Sequence, residues 1–142
     1  MISRLRAGGL SAERQQTTAT FCRLLVGDGV ERLPVDLVAD QAAQIEEPIT
    51  VAEGIAVDTA HEILVNKLTA MLGRWAERDL VDVEALIEAG GDLDRALRDA
   101  PRKDGGFSPE TLAWVLDTTE QAVPADLAAF KVTFIKRLLA PG

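Results

Sequence analysis

The chain has 142 residues, with 15 Lys and Arg against 23 Asp and Glu for a net charge of −8, and 47% of it is hydrophobic. That length holds one domain of ordinary size, and that balance excludes a disordered, collagen-like or low-complexity chain. An acidic surface repels a phosphate backbone, which excludes bulk DNA binding, and a single Cys excludes an intrachain disulfide framework.

The lone thiol fits a reducing compartment, and no apolar run is long enough to span a membrane. The opening Met1-Ile2-Ser3-Arg4-Leu5-Arg6 lacks the apolar core of a secretory signal. The expected location is cytoplasmic.

The local patterns are strand-like before residue 58 and helical after it. Residues 2–7 predict a short helix stopped by Gly8-Gly9, and the polar, Thr-rich residues 11–19 predict an edge strand or a loop. Phe21 to Val26 is a short apolar strand carrying Cys22 as a buried, inert thiol. Gly27-Asp28-Gly29 predicts a hairpin turn, and Val30 to Ala39 the returning strand. Pro34 cannot donate a ladder hydrogen bond, so that strand needs an open edge or a bulge. On it Val35, Leu37 and Ala39 share one face, and Asp36, Val38 and Asp40 the other. Residues 41–54 read as a connection, and Ile55-Ala56-Val57 as a last short strand.

From Thr59 the period changes. Thr59 or Asp58 caps a helix to about Gly73, with Ile63, Leu64, Leu68, Met71 and Leu72 as its apolar stripe. A second helix begins near Glu77, with Leu80, Val83, Leu86 and Ile87 on one face, and Gly90-Gly91 stops it. Asp92 caps a short helix to about Ala100. Ser108-Pro109-Glu110 opens another, to about Asp117. Pro124 opens the last, whose core face is Leu127, Phe130, Phe134, Ile135, Leu138 and Leu139. The expected fold class is α+β: a partial, mainly antiparallel sheet over residues 1–58 and a helical bundle over 59–142 packed on it as one compact unit.

Two features carry chemical interest. Asp36 lies in a strand between apolar neighbours, where an unpaired carboxylate is costly. It either points to solvent on an exposed sheet face or serves as a metal ligand or general base. The second feature runs from Lys67 to Asp82. Lys67 sits mid-helix among apolar residues and Arg74 closes that helix. Arg78-Asp79-x-x-Asp82 opens the next, with Asp79 and Asp82 sharing a face in the first turn. Those acids either complement the helix dipole, with an Arg78–Asp82 pair four residues apart, or form part of a site. His61, the only histidine, belongs to the first turn of its helix. The chain has too few Cys and His for a zinc site, and its paired glycines lack the Lys-Ser/Thr of a phosphate loop.

In order, Val35-Asp36-Leu37-Val38, Ile55-Ala56-Val57-Asp58, Glu62-Ile63-Leu64-Val65-Asn66-Lys67-Leu68-x-Ala70-Met71-x-x-Arg74 and Arg78-Asp79-Leu80-Val81-Asp82-Val83-x-x-Leu86 resemble the AbiEii/AbiGii toxin family of nucleotidyltransferases. The resemblance runs from about residue 20 onward. It implies a polymerase-β-like core followed by a helical bundle, and transfer of a nucleotide from an NTP to an RNA or protein acceptor with Mg²⁺. Some relatives act in toxin–antitoxin or phage-defence pairs, so an antitoxin protein is an implied partner. By the same resemblance Asp36 matches the core's strand-borne carboxylate and is the implied metal ligand. Lys67, Asp79 and Asp82 join it as catalytic residues, and Lys67, Arg74 and Arg78 bind substrate.

The family core opens with Gly-Gly-x-Ala-Leu and, after an Arg, Asp-x-Asp, and that opening has no counterpart ahead of Asp36. Residues 2–10 match instead the helix that follows it. The expectation is a truncated nucleotidyltransferase, inactive as this chain. The alternative is a non-catalytic interaction module that binds an antitoxin-like protein or a complementing chain.

Overall fold

The computed structural model describes residues 2–39 and 41–140. The protein is α+β, as the change of period predicts, with its strands ending at Val57 and five helices following from Ala60. The chain divides after Gln41 into two compact units.

The first unit holds α1 (Ile2–Ala7) and three strands, β1 (Ser11–Thr17), β2 (Phe21–Gly27) and β3 (Arg32–Val38), in the antiparallel order β1-β2-β3. The apolar β2 takes the centre, and the Thr-rich segment becomes an edge strand with a bulge between Arg14 and Gln16. Register pairs Cys22 with Leu37, Leu24 with Val35 and Val26 with Leu33, which puts all six on one face. Leu24 is fully buried there with Ala12 of β1, while Cys22 is only half-buried and accepts a hydrogen bond from the Thr17 hydroxyl. The turn after β2 is held by Asp28, whose Oδ1 accepts from the N–H groups of Val30 and Glu31 at 2.9 Å each. Gly29 supplies the positive φ of +98° that the turn requires. Val30 therefore stays in the turn, and β3 starts two residues later than its pattern suggests. Pro34 is accommodated because β3 is an edge strand, paired on one side only. Asp40 lies outside the described residues.

The second unit opens with a hairpin that the pattern hides. Residues 41–54 are not all connection: β4 (Ile49–Ala52) pairs antiparallel with β5 (Ile55–Val57) across Glu53-Gly54. Five helices follow: α2 (Ala60–Gly73), α3 (Glu77–Glu88), α4 (Leu93–Asp99), α5 (Pro109–Thr118) and α6 (Ala125–Leu138). Their starts are capped as expected, the Thr59, Asp92 and Ser108 side chains accepting from Glu62, Arg95 and Thr111 N–H. At the end of α3, Gly91 N–H bonds Leu86 O and Gly90 N–H bonds Ile87 O, with Gly90 at φ +95°.

The core is built on α2, which packs against α3, α4 and α5. Leu64, Val65, Leu68 and Met71 are buried with Leu80, Val83, Leu112, Leu116, Leu127, Phe134 and Leu138. Ile63, expected in the stripe of α2, is 38% exposed, and its neighbour Glu62 is buried instead. Leu139, expected on the core face of α6, is 56% exposed because that helix ends at Leu138.

Glu62 is fully buried and is tied down at both oxygens. Oε2 accepts from the N–H groups of Ile45 and Glu46 at 3.0 Å each, and Oε1 pairs with the equally buried Lys103 ammonium. One carboxylate thus joins the first turn of α2, the chain leading into β4 and the turn after α4. Burial disfavours its charged form, but Lys103 and the two N–H groups outweigh that and hold its pKa below the usual value. Removing one partner of such a pair strands the other charge, so Lys103→Met is expected to cost about 3–5 kcal/mol in urea unfolding. Glu62→Gln with Lys103→Met recovers much of that loss, since Gln still accepts from both N–H groups. The stabilisation from Glu62 is complete above its unfolded pKa of about 4.3 and lost as pH falls through the lower folded value. Unfolding free energy below pH about 4.5 therefore falls more steeply in the parent than in the double variant.

Candidate functional site

Lys67 is carried by the middle of α2, and Asp79 and Asp82 by the first half of α3. The two helices are neighbours joined by Arg74-Trp75-Ala76, so the sequence spacing becomes one cluster. The Lys67 Nζ lies 3.2 Å from Asp79 Oδ1 and 2.6 Å from Asp82 Oδ2. The helical period explains why both acids reach it: three residues apart, they stand on the same face of α3. Asp79 has a second task, its Oδ2 accepting from Ala76 N–H at 2.9 Å. That is the returning half of a capping box, and Ala76 has no side-chain acceptor to supply the other half. Gln121, with its amide oriented to suit its neighbours, donates to Trp75 O and accepts from Glu77 N–H.

The hydrogen bond to Asp82 raises the Lys67 pKa, burial works against it, and Asp79 adds to the rise. The geometry and the balance of these effects favour the ammonium form of Lys67. The expected Arg78–Asp82 pair does not form, because Asp82 faces α2 and takes Lys67. Arg78 and Arg74 have no side-chain hydrogen bond or ion pair among the described residues. Both line a cleft of about 290 Å³ together with Ala70, Trp75, Ala76 and Asp79. Larger cavities of about 680 and 470 Å³ flank the Arg137–Asp94 ion pair and contain none of the site residues expected from sequence, and one of about 360 Å³ is lined by Asp82 with Ile63, Ala85 and Leu86. The helix-joining cleft, lined by Arg74, Arg78 and Asp79, is the candidate site.

Trp75 is almost fully buried, and its indole Nε1 has no hydrogen-bond partner, an arrangement that costs about 1–3 kcal/mol. The Lys131 ammonium of α6 stands 4.9 Å from its ring centroid. The Lys131 contact is not legible from spacing, since Trp75 and Lys131 lie 56 positions apart in the chain. The same is true of His61, whose Nε2 lies 2.8 Å from Asp99 Oδ2, and of Glu62 with Lys103. The His61 contact, with Arg102, holds Asp99 below the usual carboxylate range against the effect of burial.

Asp36 belongs to the first unit, on the sheet face opposite to that of Leu24. Both its oxygens accept from the Arg23 guanidinium at 2.7 Å, a bidentate fork between paired strand positions. That fork holds the carboxyl below its usual pKa. A metal needs oxygens that are free and several that converge. Asp36 is spent on Arg23, and among the described residues no group of three or more His, Cys, Asp or Glu side chains could hold a metal ion. The residues present do not fit the expected Mg²⁺ site.

A family model described as nucleotidyl transferase AbiEii toxin, Type IV TA system, matches residues 6–139. The chain belongs to that family. No curated protein and no solved structure matches it. Among the described residues no helix is long and apolar enough to cross a membrane.

Asp79 caps α3 and holds Lys67, so Asp79→Ala is expected to cost about 1–2 kcal/mol in urea unfolding. Asp82→Ala, which removes only the more exposed partner, should cost less than about 1 kcal/mol. Because the folded Lys67 pKa is raised, its contribution is complete below about pH 10.4 and lost as pH rises through the folded value. The stability difference between parent and Lys67→Met should therefore shrink in strongly alkaline buffer.

Proposed function

We propose that the helical unit binds a nucleoside triphosphate at the cleft between α2 and α3, in the service of nucleotidyl transfer to an RNA or protein acceptor. The observation that carries this reading is the joining of Lys67, Asp79 and Asp82 beside the unpaired Arg74 and Arg78, in a chain of a nucleotidyltransferase family. In such a transfer an acceptor oxygen attacks the α-phosphorus in line and pyrophosphate leaves, so catalysis is mostly positioning and neutralisation of charge. Arg74 and Arg78 bring uncommitted guanidinium groups, whose planar fork suits phosphate. Lys67 with its two acids fixes the angle at which α3 leaves α2, and so the spacing of those arginines.

Nucleotidyltransferases generally use a divalent metal, and the described carboxylates do not assemble a site for one. The 142 residues by themselves are therefore proposed to be inactive in transfer, with the metal-binding carboxylates to be supplied by an Asp-x-Asp segment of the family type. A cognate antitoxin is the proposed protein partner. A second reading, a non-catalytic module completed by another chain, is favoured by apolar strand residues left in solvent. Leu33, Val38, Ile49, Val51 and Ile55 are all more than half exposed, and β1 and β3 are unpaired sheet edges.

The test is transfer of label from radiolabelled NTPs to tRNA and to protein. The unfused chain should give no labelling. A fusion carrying Gly-Gly-x-Ala-Leu and Asp-x-Asp should label its acceptor, and Arg78→Gln in that fusion should lower the rate by about 10². Robust metal-dependent transfer by the unfused chain would contradict the reading. A fusion that stays silent while the unfused chain forms a stoichiometric complex with a partner would favour the second.

A further inference from the structure

The available positive charge of the cleft does not sit on the motif lysine. Lys67 faces two carboxylates within 3.2 Å, so that cluster is net negative and its ammonium is already spent. The helical unit has five cations with no ion-pair or hydrogen-bond partner for their charged groups among the described residues: Arg74, Arg78, Arg98, Lys131 and Lys136. Two of these line the cleft, and a third, outside its lining, stands over the ring of a residue that does. Arg74 and Arg78 share the cleft wall with Trp75, and Lys131 comes from α6 to stand over the Trp75 ring. The acid that lines the cleft, Asp79, is committed at both oxygens, to Lys67 and to Ala76 N–H. In a chain of net charge −8, a cleft whose nearest acid is occupied and whose cations are free is a place where an anion is attracted and not repelled.

We infer that Arg74, Arg78 and Lys131 together form the polyphosphate-binding group of this cleft, and that Lys67 is a positioning residue and not a phosphate ligand. The inference rests on the reading of the cleft as a triphosphate site and deepens it, adding a residue that lies 49 positions beyond Asp82, outside the motif. The chemistry suits the residue types. Two guanidinium forks grip neighbouring phosphate oxygens, while the Lys131 ammonium, on a flexible four-carbon stem over an aromatic face, swings to meet a third. Trp75 then senses the event, because its cation neighbour is drawn away.

The test uses the full 142-residue chain with Trp114→Phe, which leaves Trp75 as the remaining indole of the two in the sequence. Sodium tripolyphosphate is titrated in while Trp75 emission and heat are recorded. Saturable one-site binding with a change in Trp75 emission is expected. Arg78→Gln and Lys131→Gln should each weaken it by about tenfold, and Lys131→Arg should restore it. Arg98→Gln and Lys136→Gln should each weaken it by less than about threefold, and at saturation the Lys131 ¹³Cε resonance should move while that of Lys67 stays in place. Equal losses in all single-charge variants would mean bulk attraction and overturn the inference. A Lys67 resonance that moves as far as that of Lys131 would make Lys67 the ligand, overturning the inference while leaving the triphosphate reading in place. Absence of saturable binding overturns it too, whatever the transfer assay shows.

Discussion

Lys67 reaches from the middle of α2 to the first turns of α3, where Asp79 and Asp82 hold its ammonium at 3.2 and 2.6 Å. Asp79 also caps α3 through Ala76 N–H, so one carboxylate both starts the helix and fastens it. That fastening joins α2 and α3 on either side of the turn Arg74-Trp75-Ala76, whose residues line the cleft. The pair is partly buried and shared between two acceptors, Asp79 and the more exposed Asp82. The lysine's charge is thereby used inside the protein, while Arg74 and Arg78 nearby have no ion-pair partner among the described residues.

The other end of α2 is fastened by a different device. Glu62 is buried among backbone donors and Lys103, and it ties the first turn of α2 to the approach of β4 and the turn after α4. A helix whose apolar stripe already packs against three neighbours does not need ionic ties for hydrophobic burial. Both ties add polar contacts between α2 and its neighbours to that burial. The candidate site is then a consequence of a spine that is fixed at its first turn and again at its centre.

Much of this was legible in sequence wherever the cause is local. Thr59, Asp92 and Ser108-Pro109 announce helix starts because a cap is a contact between residues three apart, and Gly90-Gly91 announces an end because only glycine takes that φ cheaply. Asp79 and Asp82 were recognisable as one face, and the Lys67 and Arg-Asp-x-x-Asp blocks as family features that the match over residues 6–139 supports. The strand β4 was hidden because Pro48 and the acids before it read as a loop, although Glu53-Gly54 between two β-branched runs was a hairpin signal. The pairs Glu62–Lys103, His61–Asp99 and Trp75–Lys131 join residues brought close only by the packed bundle, and no periodicity encodes them. The Arg78–Asp82 pairing failed for the converse reason: a local rule was outbid by a tertiary neighbour, Lys67.

The central claim is that Lys67 is a committed ammonium between two carboxylates. The most direct measurement is a titration of the lysine ¹³Cε resonances of the full chain by NMR, repeated on Asp82→Asn. The account predicts that the Lys67 resonance titrates above the ordinary lysine value of about 10.4 and moves down toward it in Asp82→Asn. A Lys67 resonance that titrates at the ordinary value in the parent, unmoved by Asp82→Asn, would contradict it.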